Sequence, residues 1–161
     1  MELTFAPRDI LQIDDARLVF KNFSGAPSLY NKEGERNFAL VIPNQEIADA
    51  LMANTNENGD GWNVKVRPPR EEGDDPFIYL PVKVNFTEYG PNVYLKSGEK
   101  MIELDEDSVG MLDSIDIQSV DLDIRPYDWV RPTGEHGRTA YLQSIHVIQK
   151  IDRFAARYIE D

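Results

Sequence analysis

Apolar and polar residues alternate along several short stretches of this chain, the period-two pattern of half-buried β-strands. The clearest stretch is residues 77–86. Every even-numbered position from Ile78 to Phe86 is apolar, while Tyr79 and Lys83 occupy the other face. Residues 115–125 alternate in the same way, with Asp121 and Asp123 on the polar face. Both stretches are therefore predicted to be strands with one face in the core.

The remaining elements follow from shorter patterns bounded by turn residues. The chain reads as about seven strands, at residues 16–23, 36–42, 62–67, 77–86, 93–96, 115–125 and 139–148. A helix capped by Asn44 is predicted over residues 45–54, and a second helix capped by Asp105 over residues 105–112. The turn at Gly90-Pro91-Asn92 is expected to pair residues 93–96 with the strand before it.

This series of strands predicts a mainly β fold, an OB-like Greek-key barrel with one or two short helices, with a β-sandwich as the alternative. We expect one domain over residues 1–149. Apolar residues then recur at helical spacing, so residues 150–161 are predicted to form a C-terminal amphipathic tail helix; the residues in this series are Ile148, Ile151, Phe154, Ala155 and Tyr158.

Composition restricts the cellular compartment of the protein and the chemistry that its side chains can support. The 161 residues include no cysteine, which excludes disulfides and thiolate chemistry and favours the reducing cytoplasm. No basic and apolar leader precedes the first strand, and no apolar run is long enough to span a membrane, so neither a secretory signal nor a membrane partner is expected. The net charge is −12, which opposes non-specific attraction to nucleic acid.

The residues that could support catalysis are few. There are two histidines, and neither a nucleophile elbow nor a phosphate-binding loop occurs. Residues 105–110 imitate part of a calcium loop, but Val109 and Asp116 stand where an oxygen ligand and Glu are needed. We therefore predict no enzyme activity, no cofactor and no metal. A metal-dependent nuclease using Asp121 and Asp123 is one alternative.

Aromatic and basic residues recur together on the outward faces of the predicted strands. Single-strand binding requires flat side chains that stack on bases and cations that neutralise phosphates. The same pattern also arises because aromatic residues favour strands and lysine or arginine solvate them. The candidate nucleic-acid-binding residues are Lys65, Arg67, Tyr79, Lys83, Tyr94, Lys96, Arg125, Tyr127 and Trp129.

The layout of residues 16–150 resembles that of phage-encoded single-stranded-DNA-binding proteins. The segments that carry the resemblance are Asn22-Phe23-Ser24-Gly25, Arg36-Asn37-Phe38-Ala39-Leu40, the helix after a proline, residues 77–86, residues 120–129 and Ala140-Tyr141-Leu142. The resemblance implies an OB fold that coats single strands during phage DNA replication or recombination, without catalysis, in the host cytoplasm. Many such proteins carry an acidic tail that recruits partners, whereas only Glu160 and Asp161 close this chain.

A second class of function fits the negative charge. An acidic protein-interaction or inhibitor module could mimic nucleic acid and occupy a basic partner. Contacts with replication or recombination proteins, and self-association, are compatible with either class. If the cations gather in one groove, single-strand binding is favoured; if acids cover every face, mimicry is favoured.

Overall fold

The computed structural model describes residues 1–151 and is built mainly from β-strands, as predicted. Within residues 1–151, one helix, α1 (Gln45–Ala53), and two short 3-10 helices, Pro7–Asp9 and Val109–Asp113, accompany them. The ten strands of the described residues are β1 (Glu2–Phe5), β2 (Leu11–Asp14), β3 (Leu18–Asn22), β4 (Arg36–Val41), β5 (Lys65–Arg67), β6 (Phe77–Val84), β7 (Asn92–Ser97), β8 (Lys100–Leu104), β9 (Ile117–Val130) and β10 (His136–Gln149).

All ten strands belong to one mixed sheet. Its main path runs β1-β2-β9-β10-β6-β4-β3, with β5 paired to β6 and with β7 paired to both β10 and β8. Strand β10 runs parallel to β6 and β7, and the other pairs are antiparallel. The strand pairing does not close into a ring, since β1 and β3 end the path. The backbone of Ala16 nevertheless bonds to Val120 of β9 at 2.8 Å, just before β3 begins.

The predicted alternation of β6 is confirmed. Ile78, Leu80, Val82 and Val84 are buried, and the residues between them lie on the outer face of the sheet. The alternation of β9 is confirmed in the same way, with Val120, Leu122 and Ile124 in the core. These residues belong to one continuous hydrophobic core. Because successive side chains of a strand point to opposite faces, burial of these residues directs the residues between them outward.

Helix α1 begins where its cap predicts. The Asn44 side chain accepts a hydrogen bond from the backbone of Ile47 at 2.9 Å, which satisfies a donor that the helix leaves free. Ala48 and Leu51 are buried, whereas Ala50 is exposed. The predicted second helix is wrong in type: residues 109–113 form a 3-10 helix, and Asp105 instead accepts backbone bonds from Asp107 and Ser108 in the preceding turn.

Two strand predictions need further correction. Strand β7 pairs with β8 and β10 rather than with β6, so the hairpin expected at Gly90-Pro91-Asn92 is wrong. Strands β1, β2 and β8 are additional to the predicted set. In β8 the apolar residues Met101 and Ile102 are adjacent and both exposed, so this strand has no period-two contrast to recognise.

A buried arginine of β10 joins three other segments of the chain: the first 3-10 helix, the end of α1 and strand β9. Arg138 is 3% exposed, and its guanidinium donates to Asp128 at 2.7 Å, to Asp9 at 3.2 Å and to the backbone oxygen of Asn54 at 3.0 Å. The predicted tail helix, residues 150–161, lies outside the described part of the chain apart from Lys150 and Ile151, and Ile148 belongs to β10. The boundary between domain and tail stays a prediction.

Candidate nucleic-acid interface

Three aromatic rings gather on the outer face of β6 and its neighbours. Phe77 and Tyr79 alternate with the buried residues of β6 and stack on each other, with centroids 5.4 Å apart. Phe20 of β3 meets both rings edge-on, at 6.1 Å from Phe77 and 6.5 Å from Tyr79. Such offset and edge-on geometries are the preferred arrangements of aromatic pairs.

Cations flank these rings. Strand β5 places Lys65 opposite Tyr79 and Arg67 opposite Phe77 in the register. The guanidinium carbon of Arg67 lies 5.6 Å from the centroid of Phe20, within the range of a cation–π contact. We call Phe20, Phe77, Tyr79 and Arg67 the Tyr79 cluster. It combines exposed ring surface with a positive charge, the two components that a single strand requires.

Phe20 is an unusual member of the Tyr79 cluster. Its backbone has φ +51°, a left-handed conformation that costs a non-glycine residue roughly 1–2 kcal/mol. Its side chain is 60% exposed, so little burial offsets that cost. The register of β3 with β4 shifts between Val19 and Asn22. This irregularity turns Phe20 over the sheet, and the sequence carries no local signal for it.

A second group lies across β10 and β9. Tyr141 stands opposite Arg125 in the register, and the Arg125 guanidinium carbon lies 4.9 Å from the centroid of the Tyr141 ring. Tyr127 meets Tyr141 edge-on at 5.7 Å. We call Arg125, Tyr127 and Tyr141 the Tyr141 cluster. Arg125 and Tyr127 are predicted from the sequence, whereas Tyr141 is not, because only the pairing of β10 with β9 brings it between them.

Lys83 connects the two clusters. It follows Tyr79 by four residues on β6, a separation of about 13 Å at roughly 3.3 Å per residue. In the register it stands opposite both Tyr141 of β10 and Asn37 of β4. A cleft beside it is lined by Gly34, Glu35, Arg36, Asn37, Lys83, Val84, Asn85 and Tyr141. A single nucleic-acid strand that contacts both clusters would therefore pass over Lys83.

Trp129 has its ring already engaged. Its indole nitrogen donates to the hydroxyl of Thr139 at 3.1 Å, and Arg131 lies 5.0 Å from the ring centroid. The ring also packs on Gly137, where an added Cβ would come within 2.6 Å of it. Trp129 thus extends the outer face of β9, with a cation rather than open solvent on its ring.

Tyr94 and Lys96 lie on a different part of the sheet. Strand β7 places them opposite His146 and Ile148 of β10, several residues beyond Tyr141. The groove next to Tyr94 is lined by the acidic residues Asp14, Asp121 and Asp123. The structure therefore gathers seven of the nine sequence-selected residues along one face and leaves these two beside negative charge.

Charge separates along β9. Its outer positions are Asp121 and Asp123 in the first part, then Arg125, Tyr127 and Trp129 in the second. The paired outer positions around the Tyr79 and Tyr141 clusters hold no acidic residue among residues 1–151; they are Asn37, Ala39, Val41, Lys65, Arg67, Phe77, Tyr79, Pro81, Lys83, Arg125, Tyr127, Trp129, Gly137, Thr139 and Tyr141. Despite the net charge of −12, one region of the sheet is cationic and aromatic.

The acids considered for metal chemistry have structural partners. Asp121 accepts the backbone N–H of Asp15 at 2.9 Å, and Asp123 accepts the Ser144 hydroxyl at 3.2 Å. Hydrogen bonds from the Ser108 hydroxyl and backbone lower the pKa of Asp105. Within residues 1–151, no group of three or more histidine or acidic side chains is arranged to hold a metal ion.

The chain is similar to known proteins in both sequence and fold. A family model described as "Putative phage ssDNA-binding domain" matches residues 2–160. Among solved structures, a C-terminally truncated single-stranded DNA-binding protein from bacteriophage Enc34 is similar with a TM-score of 0.56 and 14% identity, over 94% of this chain and 91% of that one. The same phage protein in complex with ssDNA matches with a TM-score of 0.54 and 15% identity, over 94% and 93%. No curated protein matches. Among the described residues, no helix is long and apolar enough to cross a membrane.

Proposed function

We propose, since the chain belongs to the phage ssDNA-binding domain family, that it binds single-stranded DNA along the outer face of β5, β6, β10 and β9. The observation that carries the proposal is the Tyr79 cluster, in which three rings contact one another beside Arg67. Lys83 continues this surface to the Tyr141 cluster. Bases would stack on the rings while phosphates contact the cations.

The arrangement favours single strands over duplex. In a duplex the bases already stack on each other, so they offer no free face on which an exposed ring such as Phe20 could stack. The acidic remainder of the protein repels a duplex more strongly, because its charge density is higher. Since only a few cations lie on this face, the dependence of affinity on salt is expected to be shallow, about −0.7 in log–log slope for each phosphate neutralised.

The proposal extends to the protein's role in the phage and to its fold. The protein acts in phage DNA replication or recombination, in the host cytoplasm, by coating single strands rather than by catalysis. We propose further that the sheet, whose strand pairing stays open between β1 and β3, is a partly open OB-like barrel, and that an amphipathic tail follows from residue 150. The similarity to the Enc34 protein, whose ssDNA complex has been solved, supports the proposed ligand. Tyr94 and Lys96 would contact only a strand that continues beyond the Tyr141 cluster.

Fluorescence anisotropy with labelled oligothymidine, duplex DNA and RNA at low salt tests the function. We expect binding to oligothymidine, weaker binding to the duplex, and a loss of roughly 1–3 kcal/mol in Tyr79→Ala if that ring stacks on a base. Phe5→Ala is the matched control, since Phe5 is an exposed aromatic residue (44%) on β1 at the end of the sheet path. If the wild type binds no single strand, the acidic mimic becomes the better account.

A further inference from the structure

The connection between β3 and β4 exposes two large apolar side chains that its own fold does not use. Leu29 is 88% exposed and Tyr30 is 93% exposed. They are the two central residues of a tight turn in which Ser28 and Asn31 exchange backbone hydrogen bonds of 2.8 and 3.3 Å. Because neither side chain packs on the core, their exposure calls for an explanation outside the isolated molecule.

The turn is held firmly by its neighbours. We call residues 25–35 the Tyr30 loop. The Asn31 side-chain amide donates to the backbone oxygens of Ala26, Lys32 and Glu35, at 3.1, 3.2 and 2.8 Å. At the base of the loop, Gly34 donates to Gly25 at 2.8 Å. Gly25 has φ +71°, and a Cβ there would lie 3.0 Å from Gly34, so this close crossing requires glycine.

The Tyr30 loop is bonded directly to the proposed DNA-binding face. The side-chain oxygen of Asn31 accepts a hydrogen bond from the side chain of Asn37 at 2.8 Å. Asn37 stands opposite Lys83 in the register of β4 and β6. Gly34 and Glu35 of the loop also form one wall of the cleft that Lys83 and Tyr141 share. The loop and the face are therefore continuous through a short series of direct contacts.

We propose that the Tyr30 loop is a further base-stacking element beside the Tyr79 and Tyr141 clusters, in which Tyr30 stacks on a nucleobase of the same single strand that Lys83 and Tyr141 hold. This inference rests on the proposed function. A fixed turn presents its ring without the entropic cost of ordering a flexible loop, which makes exposed Tyr30 an effective contact. Leu29 adds apolar surface beside the base. Self-association through Leu29 and Tyr30 is the competing explanation.

The test compares oligothymidine affinities of Tyr30→Ala, Tyr30→Phe and Phe5→Ala. We expect Tyr30→Ala to weaken binding about 5- to 150-fold, from roughly 1–3 kcal/mol per stacked base, with an unchanged salt slope because no cation is removed. Tyr30→Phe keeps a stacking ring and should bind like the wild type, as should Phe5→Ala. Since Tyr30 is 93% exposed, its replacement should leave the melting temperature unchanged.

The outcomes separate the inference from the function it rests on. If Tyr79→Ala weakens binding while Tyr30→Ala binds like the wild type, the Tyr30 contact is refuted and single-strand binding stands. If Tyr30→Ala reduces the mass in solution but not the affinity for a short oligonucleotide that accommodates one protein, the loop is a protein contact and the inference fails. If the wild type binds no single strand, both proposals fail together.

Discussion

The guanidinium carbon of Arg125 lies 4.9 Å from the centroid of the Tyr141 ring, with Tyr127 edge-on to the same ring at 5.7 Å. The cation therefore rests on an aromatic surface of the protein itself. A planar guanidinium held in this way can contact a phosphate or offer its own flat face to a base. Substitutions at Arg125 can therefore separate the contribution of its charge from that of its planar shape.

Replacement of Arg125 should have two measurable effects. Arg125→Ala removes one cation, so the log–log dependence of affinity on salt should become shallower by about 0.7. Arg125→Lys keeps the charge and should keep the slope, but it loses the planar contact and should still bind more weakly. Anisotropy titrations over a range of salt concentrations measure both effects. Equal affinities of the wild type and the lysine variant would show that charge alone matters at this position.

Phe20 should matter for binding and not for folding. Asparagine tolerates the left-handed backbone of Phe20 better than phenylalanine does, so Phe20→Asn should remain within about 1 kcal/mol of the wild type in unfolding free energy. The same variant should lose affinity for single strands because a ring of the Tyr79 cluster is gone. Phe23, which is fully buried, is the contrast: Phe23→Ala should cost roughly 3–5 kcal/mol. Urea unfolding and anisotropy provide the two readings, and a strongly destabilised Phe20→Asn would contradict the assignment.

Neutralising the acids of β9 should not impair binding. Asp121 and Asp123 directly precede Arg125 on the outer face of β9, and their negative charge opposes phosphate. Asp121→Asn and Asp123→Asn should therefore bind oligothymidine as well as the wild type or more tightly, with the difference reduced at high salt. Incubation of labelled DNA with magnesium or manganese gives the opposing test. Cleavage by the wild type that either variant abolishes would favour the nuclease alternative.

The ion pair between Arg138 and Asp128 should make the free energy of unfolding depend on pH. The hydrogen bond from Arg138 is the largest influence on Asp128 and holds the pKa of that carboxyl below its usual value of 3.8. Burial works to lower the pKa of Arg138, but the charges and hydrogen bonds of Asp128 and Asp9 outweigh it and raise that pKa. Because the pKa of Asp128 is depressed on folding, its contribution to stability is complete above the unfolded pKa, near 4, and disappears as pH falls through the lower folded value.

Asp128→Asn measures that contribution. At neutral pH it should cost toward the lower end of the roughly 1.5–3 kcal/mol typical of a hydrogen bond to a charged group, since Asp128 is partly exposed and Arg138 retains Asp9 and Asn54. Urea unfolding at neutral and acid pH should show the difference from the wild type shrinking below about pH 4. A difference that is independent of pH would rule out the charged pair as its source.

The sequence by itself determined the mainly β class and the direction of several side chains. Alternation in β6 is a local property, so it identified the outward positions of Tyr79 and Lys83 without knowledge of any partner strand. The Asn44 cap of α1 is equally local. The resemblance to phage single-strand-binding proteins, which the family match confirms, drew on the order of such elements along the chain.

Only the tertiary structure decided which outward residues meet. Phe20 enters the Tyr79 cluster through a register shift in β3, and Tyr141 meets Arg125 and Lys83 because β10 pairs with both β9 and β6. Tyr94 carries the same sequence signal as Tyr79, yet β7 pairs with a distant part of β10 and places it beside Asp121. Alternation fixes the face on which a side chain lies, whereas the neighbours on that face depend on strand pairing between distant segments, which is set by burying all the inner faces in one core.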